Sequence, residues 1–283
     1  AVLADDIEAI PLALRLKPRG GVHGDLHEHY PSMHEYDPAW KRRISPYFSY
    51  LLKHYAARAD STSTVSGGLQ RAYMAQFGFE PSLVPNATPY ANLEPSAVSE
   101  PIRLVHSGAG QRKRHLEIML QAVRETNANV TLDLFVTRND PEYLVRMEEE
   151  FGSDPRITFN DPVPYEELVQ TLNQFDVGVF VLPPVTFSYK WALPNKFFDF
   201  IQARLGIIVG PSPEMAPLVE KIGNGEVCKD FSAESLARVL ESLSIEQIRQ
   251  WKEASNAVAH ELSAGELSSP WDQAMRGILE ATS

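Results

Sequence analysis

Residues 106–115, His-Ser-Gly-Ala-Gly-Gln-Arg-Lys-Arg-His, set two glycines and three consecutive cations between an apolar stretch and a helical one. Glycines at 108 and 110 let the backbone come close to a ligand. The amides of a helix start favour an anion, and Arg112, Lys113 and Arg114 can neutralise phosphate charge. The loop is not a Walker loop, which needs Gly-Lys-Ser/Thr, and it lacks the full spacing of a dinucleotide fingerprint. By itself it also reads as a solvated basic helix start. A second stretch, Leu193-Pro194-Asn195-Lys196-Phe197-Phe198-Asp199, opens a helix, with Pro194 and Asn195 suited to its entry. Asp199, one turn in, can accept two hydrogen bonds from vicinal hydroxyls; its other reading is an i,i+3 pair with Lys196. A third stretch, Phe159-Asn160-Asp161-Pro162-Val163-Pro164, offers backbone partners and an apolar wall for a flat base, or is a loop stiffened by proline. Near the front, Asp25-Leu26-His27-Glu28 closes a strand among His23, His29 and His34. Pro31 prevents a helical His-Glu-x-x-His arrangement and no spacing suits a metal, so polar or structural histidines are expected and no metal.

The elements that must hold these residues alternate between strand and helix signals. A strand at Ala1–Ala4, a helix at 7–15, a strand at 22–26, helical spacing over 40–59, a strand at 61–65, a helix at 66–77 and a strand at 83–86 make one series. Residues 87–101 are polar, contain proline and show no periodicity, as a linker does. A second series follows, with strands at 102–107, 130–136, 157–159, 177–182, 207–209 and 226–229 and helices between them and onward from 233. Such alternation predicts an α/β protein with parallel sheets covered on both faces, which bind ligands at the carboxyl ends of their strands. All three ligand-like stretches fall at such strand ends.

Composition narrows the partners. The 283 residues are 43% hydrophobic, enough for real cores, and carry a net charge of -11, which leaves no basic field for a nucleic-acid backbone. A single cysteine, Cys228, allows no intramolecular disulfide and fits a reducing compartment. No apolar run reaches the ~18–20 residues that span a bilayer, and no secretory signal pattern opens the chain. A cytoplasmic protein is expected, with any membrane contact peripheral at the inner face. The basic helix around Lys41-Arg42-Arg43 is the place for such a contact, or simply a solvated face. The opening Ala1-Val2-Leu3-Ala4-Asp5-Asp6 reads as the middle of a larger unit, so upstream residues are expected.

Taken in order, these segments resemble the family 4 glycosyltransferases and their relatives of the GT-B fold. Arg103-Leu104-Val105-His106-Ser107-Gly108 with Arg114 looks like the opening of that family's donor domain. Residues 156–159 through 165–168 to 175–179 look like its central signature. Asn195-Lys196-Phe197-Phe198-Asp199-Phe200-Ile201-Gln202-Ala203 looks like the segment written K-x-x-E-x-x-A. The resemblance implies two Rossmann-like, doubly wound domains: an incomplete acceptor-side domain at 1–95, a donor-binding domain at 96–262 and a C-terminal helix at 263–283 crossing back. It implies transfer of a sugar from a nucleoside-diphosphate sugar, retaining and metal-independent, with no further cofactor. Gly108, Gly110, Arg112, Lys113, Arg114, Asn195 and Lys196 would hold the diphosphate, and Asp199 the ribose. Phe159, Asp161 and Val163 would lie on the base side, and His27 would orient hydroxyls as the catalytic-side histidine. Asp199 stands where the family usually has Glu, and Trp191 where many members place another Glu. A non-catalytic nucleotide-binding or assembly protein and a sugar-nucleotide epimerase are the alternatives on the same scaffold. The acceptor is open among sugar, lipid-linked and protein classes.

Overall fold

The computed structural model describes residues 1–280. The chain forms two compact units, one from residues 1–86, 184–193 and the stretch from 264 onward, the other from 87–183 and 194–263. The expected boundary at 95/96 therefore lies instead at 86/87. Residues 87–101 are not a free linker, because hydrogen bonds lay them onto the second unit: Thr88 to Asp199, Ala91 to Gln202, Ser96 to Asn173 and Ser99 to Asp176.

The first unit runs β1 (Val2–Asp5), α1 (Ala9–Leu16), β2 (Val22–Leu26), α2 (Pro38–Arg43), α3 (Ser45–His54), β3 (Ser61–Thr64), α4 (Gly67–Phe77) and β4 (Ser82–Leu83). Its strands are parallel, in chain order β1-β2-β3-β4. Pro46 stands in the first turn of α3, which begins afresh after Ile44, so the helical spacing over 40–59 becomes two helices. Neighbouring residues on β2 face opposite ways. A Cβ on Gly24 would strike Ile10 of α1, whereas His23 meets Trp271, which belongs to a later helix of the same unit. The sheet is thus covered on both faces. Its core gathers Ile7, Ile10, Leu26, Leu51, Leu52 and Tyr73.

The second unit runs β5 (Ile102–Ala109), α5 (Glu117–Glu125), β6 (Val130–Thr137), α6 (Pro141–Phe151), β7 (Ile157–Asn160), α7 (Tyr165–Leu172) and β8 (Val177–Phe180). The chain then visits the first unit through α8 (Phe187–Lys190) and returns as α9 (Asn195–Gln202), β9 (Gly206–Val209), α10 (Met215–Ile222), β10 (Gly225–Val227), α11 (Ala233–Glu241) and α12 (Ile245–Val258). Two last helices, α13 (Ala264–Leu267) and α14 (Ser269–Glu280), belong to the first unit. The strand order β10-β9-β8-β5-β6-β7, all parallel, is the doubly wound dinucleotide-fold order. Winding runs outward from β5 in one direction and restarts at β8 in the other. The switch point therefore lies between β5 and β8, whose carboxyl ends lead into residues 110–115 and, beyond the α8 excursion, into α9. Among the described residues no helix is long and apolar enough to cross a membrane.

One buried ion pair pins this unit together. Asp176 accepts from the amides of Ser99 and Arg103, and Lys252 Nζ lies 3.6 Å from it while donating to Phe175 O and Ser96 Oγ. Both side chains are almost fully buried. Asp176→Ala strands the Lys252 ammonium away from water and should cost about 3–5 kcal/mol in urea unfolding. The double replacement Asp176→Leu/Lys252→Met should recover much of that loss. A single-variant cost below ~1 kcal/mol would show that the pair is not the clamp described.

Candidate functional site

At the switch point His106, on β5, donates Nδ1–H to the carbonyl of Val179 on β8 at 2.9 Å, and its ring stacks on Phe180. Its Nε2 is buried with no hydrogen-bond partner. Burial first, then the charge of Lys196, hold this imidazole near pKa 3, so it stays neutral and presents a lone pair.

Lys196 is the central oddity. It is the second residue of α9, at the positive end of the helix, which is the wrong place for a cation. It is only 8% exposed. Its Cε and Nζ fill the space a side chain on Gly108 would need, 2.9 Å from that Cβ position, and Nζ sits 4.6 Å from the centre of the Phe180 ring. Among the described residues no hydrogen bond or salt bridge holds Nζ. Burial, followed by repulsion from Arg114, draws its pKa down to about 7, with Asp199 pulling the other way. Arg114 and Asp199 thus both act on the same buried amine. An isolated ammonium in such a place is costly, and an anion arriving beside Gly108 would remove the cost.

Asp199, one turn further along α9, is 3% exposed. Its Oδ1 accepts from Thr88 Oγ1 at 2.6 Å, and burial lifts its pKa against the opposing effects of Thr88 and Lys196. Tyr165, at the start of α7, hydrogen-bonds Thr88 and feels the Asp199 charge. The hydroxyl of Thr88 meets the carboxylate as a sugar hydroxyl would, while Oδ2 is left for another donor.

The remaining residues of the three stretches divide. Gly108, Arg114, Lys196 and Asp199 come together. Gly110 does not join them: its amide bonds Thr137 O, and Leu144 fills the room beside its Cα, which makes it a packing glycine. Arg112 turns toward the start of α6, 3.8 Å from Asp140 and over the Tyr143 ring. Lys113 and Asn195 are exposed. Phe159 and Asp161, with Val136, Arg138 and Asn160, line a separate cavity of about 80 Å³ to which Val163 does not contribute. Thr88, His106 and Tyr165 carry site contacts that the sequence left unassigned.

In the first unit, His27 follows β2 and lies between two carboxylates, 2.9 Å from Asp25 Oδ2 and 3.1 Å from Asp5 Oδ1. The register that sets Asp5 beside Asp25 on parallel strands creates this fork. The hydrogen bond to Asp25 above all raises the His27 pKa to about 9. Behind Asp25, Ser63 Oγ donates to Oδ1 and is met by Trp271 Nε1 and His23 Nε2, each at 2.9 Å. His29 and His34 bond Ser32 and Tyr36 and stay apart from this group. Asp5, Asp25 and His27 do bring three ligand-type atoms within 4.8 Å of one another, a juxtaposition that histidine spacing alone did not reveal. Both contacts come from Nε2, so one N–H of His27 is shared between the two carboxylates. Trp191, also in the first unit, lies against Gly68 and under Arg71.

Two Rossmann-like units of this kind define the GT-B fold, and solved structures agree. Sucrose-phosphate synthase from Thermosynechococcus elongatus matches with a TM-score of 0.76 and 14% identity, over 99% of this chain and 73% of that one. HepE from Anabaena, in complex with UDP-glucose, matches at 0.74 and 13%, over 99% and 78%. TarM of S. aureus, in complex with UDP and alpha-GlcNAc-glycerol among others, matches at 0.67 and 12%, over 90% of this chain and 50% of that one. The chain therefore spans half the length of that TarM chain. No family model and no curated protein matches the sequence.

Proposed function

We propose that this chain binds a nucleoside-diphosphate sugar in its second unit and belongs to a glycosyltransferase that moves the sugar to a sugar, lipid-linked or protein acceptor. The observation that carries the reading is the Lys196 amine beneath Gly108, at the topological switch point, held by no hydrogen bond or salt bridge among the described residues and acted on by the charges of both Arg114 and Asp199. The diphosphate would sit against Gly108, Lys196 and Arg114, and the ribose would exchange with Thr88 on Asp199. As the glycosidic bond loosens, these cations would stabilise the departing diphosphate, which is the work a divalent ion does in metal-dependent transfer. Retention of configuration and independence of metal are part of this proposal, and the resemblance of residues 103–114 and 195–203 supports them. His27, as an imidazolium, would donate to a sugar hydroxyl. The proteins of similar fold solved with UDP or UDP-glucose support the donor class.

Titration calorimetry of the chain with UDP and GDP tests this. Heat of binding with a Kd in the micromolar to low millimolar range is expected for one of them, and silence with both at millimolar ligand refutes the site. Gly108→Ala is a sharp variant. The glycine has φ +136 and no room for a methyl group beside Lys196, so the change should weaken nucleotide binding at least tenfold. Unchanged affinity would separate Gly108 from the ligand.

A further inference from the structure

An aromatic and cationic face on α2 and α3 lies outside the donor site. α3 buries Phe48, Leu51 and Leu52 against the first unit's core. Its opposite face exposes Tyr47 (47%) and Tyr50 (52%), with His54 one turn beyond Tyr50. Tyr47, Tyr50 and His54 follow the spacing i, i+3, i+7, a single stripe along α3, and Arg43 closes α2 just before it. Ile44, at the break between the helices, is also exposed, and Lys41 and Arg42 continue the edge of the stripe. Among the described residues Lys41, Arg42, Arg43 and Lys53 form no salt bridge or hydrogen bond through their side chains.

This concentration of charge is out of keeping with the rest of the chain. The protein is acidic, at -11, yet between residues 38 and 58 stand Lys41, Arg42, Arg43, Lys53 and Arg58 and not one Asp or Glu. Unpaired cations facing water together with half-exposed tyrosines and an isoleucine suit one kind of partner in particular. Tyrosine rings lie at the headgroup level of a bilayer, an aliphatic side chain reaches below it, and lysine and arginine extend their stems to lipid phosphates. A nucleic acid would use the cations but would be repelled by the surrounding negative charge and would leave Ile44 unmatched.

We infer that the exposed face of α2 and α3 is a docking surface for an anionic lipid bilayer, holding the protein peripherally on the membrane. The inference stands apart from the donor-site reading, since none of these residues belongs to that site.

Vesicle co-sedimentation tests it with the intact chain. Vesicles of phosphatidylcholine containing about 30 mol% phosphatidylglycerol should pellet the protein at low salt, and vesicles of phosphatidylcholine alone should not. Binding should fall steeply at about 0.5 M salt, where the Debye length is only a few ångströms. Each cation near the surface strengthens binding about fivefold, so Lys41→Glu/Arg42→Glu/Arg43→Glu should weaken it by at least a hundredfold. Tyr47→Ser/Tyr50→Ser should weaken it in a way that salt does not reverse. Both variants alter exposed side chains and should keep nucleotide binding and circular dichroism unchanged, which controls for folding. The inference is overturned if the native chain ignores anionic vesicles or the charge-reversed variant binds as well as native. Binding of a single-stranded RNA 20-mer without binding to vesicles would also overturn it and reassign the surface.

Discussion

Raising the pH from 7 to 9 should weaken UDP binding at least tenfold, and Lys196→Met should abolish that dependence. In the free protein, burial and Arg114 hold the Lys196 pKa at about 7. A diphosphate against Nζ restores a partner and moves the pKa back toward that of an exposed lysine, near 10.5. Between those limits the complex holds more proton than the free chain, so binding takes up a proton and weakens as pH rises. Recovering half the shift gives about a twentyfold loss over these two pH units, and full recovery about fiftyfold. The terminal phosphate of UDP, with a second pKa of ~6, is already ionised over this range and adds little slope. At pH 7 the Met variant should bind ten- to hundredfold more weakly, from the ~1.5–3 kcal/mol of a charged hydrogen bond. By pH 9 the gap between the two proteins should narrow by the same factor, since only the native chain loses affinity.

The same linkage has an opposite sign for folding. A lysine whose pKa is lowered in the folded chain costs stability when it must be charged, in full below about pH 7 and not at all above 10.5. Lys196→Met should therefore raise the unfolding midpoint at pH 7 while it lowers nucleotide affinity. That combination separates a lost ligand contact from a damaged fold. Calorimetry at pH 7, 8 and 9 reads the first, and thermal unfolding the second. Equal affinity of native and variant protein at pH 7 would remove Lys196 from the site.

Much of this was legible because a parallel sheet announces itself by period and punctuation. Apolar runs such as Val177–Phe180 and Gly206–Val209 are buried on both faces, and their continuity marked them as strands. Asp199 and Arg114 stood out because their neighbours formed an ordered set, and their shared action on Lys196 is a consequence of strand order. What stayed hidden was of two kinds. Thr88 lies in a stretch with no periodicity, and only its contact across 111 residues gives it a role. The three cations at 112–114 looked equivalent, but the tight turn Arg112–Arg114, closed by His115 with φ 51, sends Arg112 to Asp140 and Arg114 to the amine. Lys196 gave no hint of burial either, since a lysine beside an exposed asparagine at a helix start ordinarily faces water. The Asp5–His27 contact depends on strand register, which a motif in one strand does not contain.

Asp25→Asn should return the His27 pKa from about 9 toward the ordinary imidazole value of 6.5, read directly by NMR titration of the ring protons. The carboxylate is the main cause of the elevation, and Asp5, largely exposed, supplies the smaller part. A histidine with a raised folded-state pKa contributes stability in full below 6.5 and loses it as pH rises through about 9, so the variant should differ most from native below neutrality. The effect should also travel inward. Trp271→Phe removes the donor that meets Ser63, and Ser63 then holds Asp25 less firmly, so the His27 pKa should fall by a smaller amount. If His27 donates to a sugar hydroxyl as an imidazolium, release of UDP from UDP-glucose at pH 8 should drop by up to about thirtyfold in Asp25→Asn, as the imidazolium fraction falls, while UDP affinity stays unchanged. An unmoved pKa in Asp25→Asn would sink the carboxylate fork itself. A shifted pKa with undiminished turnover would leave the fork standing and take His27 out of the chemistry.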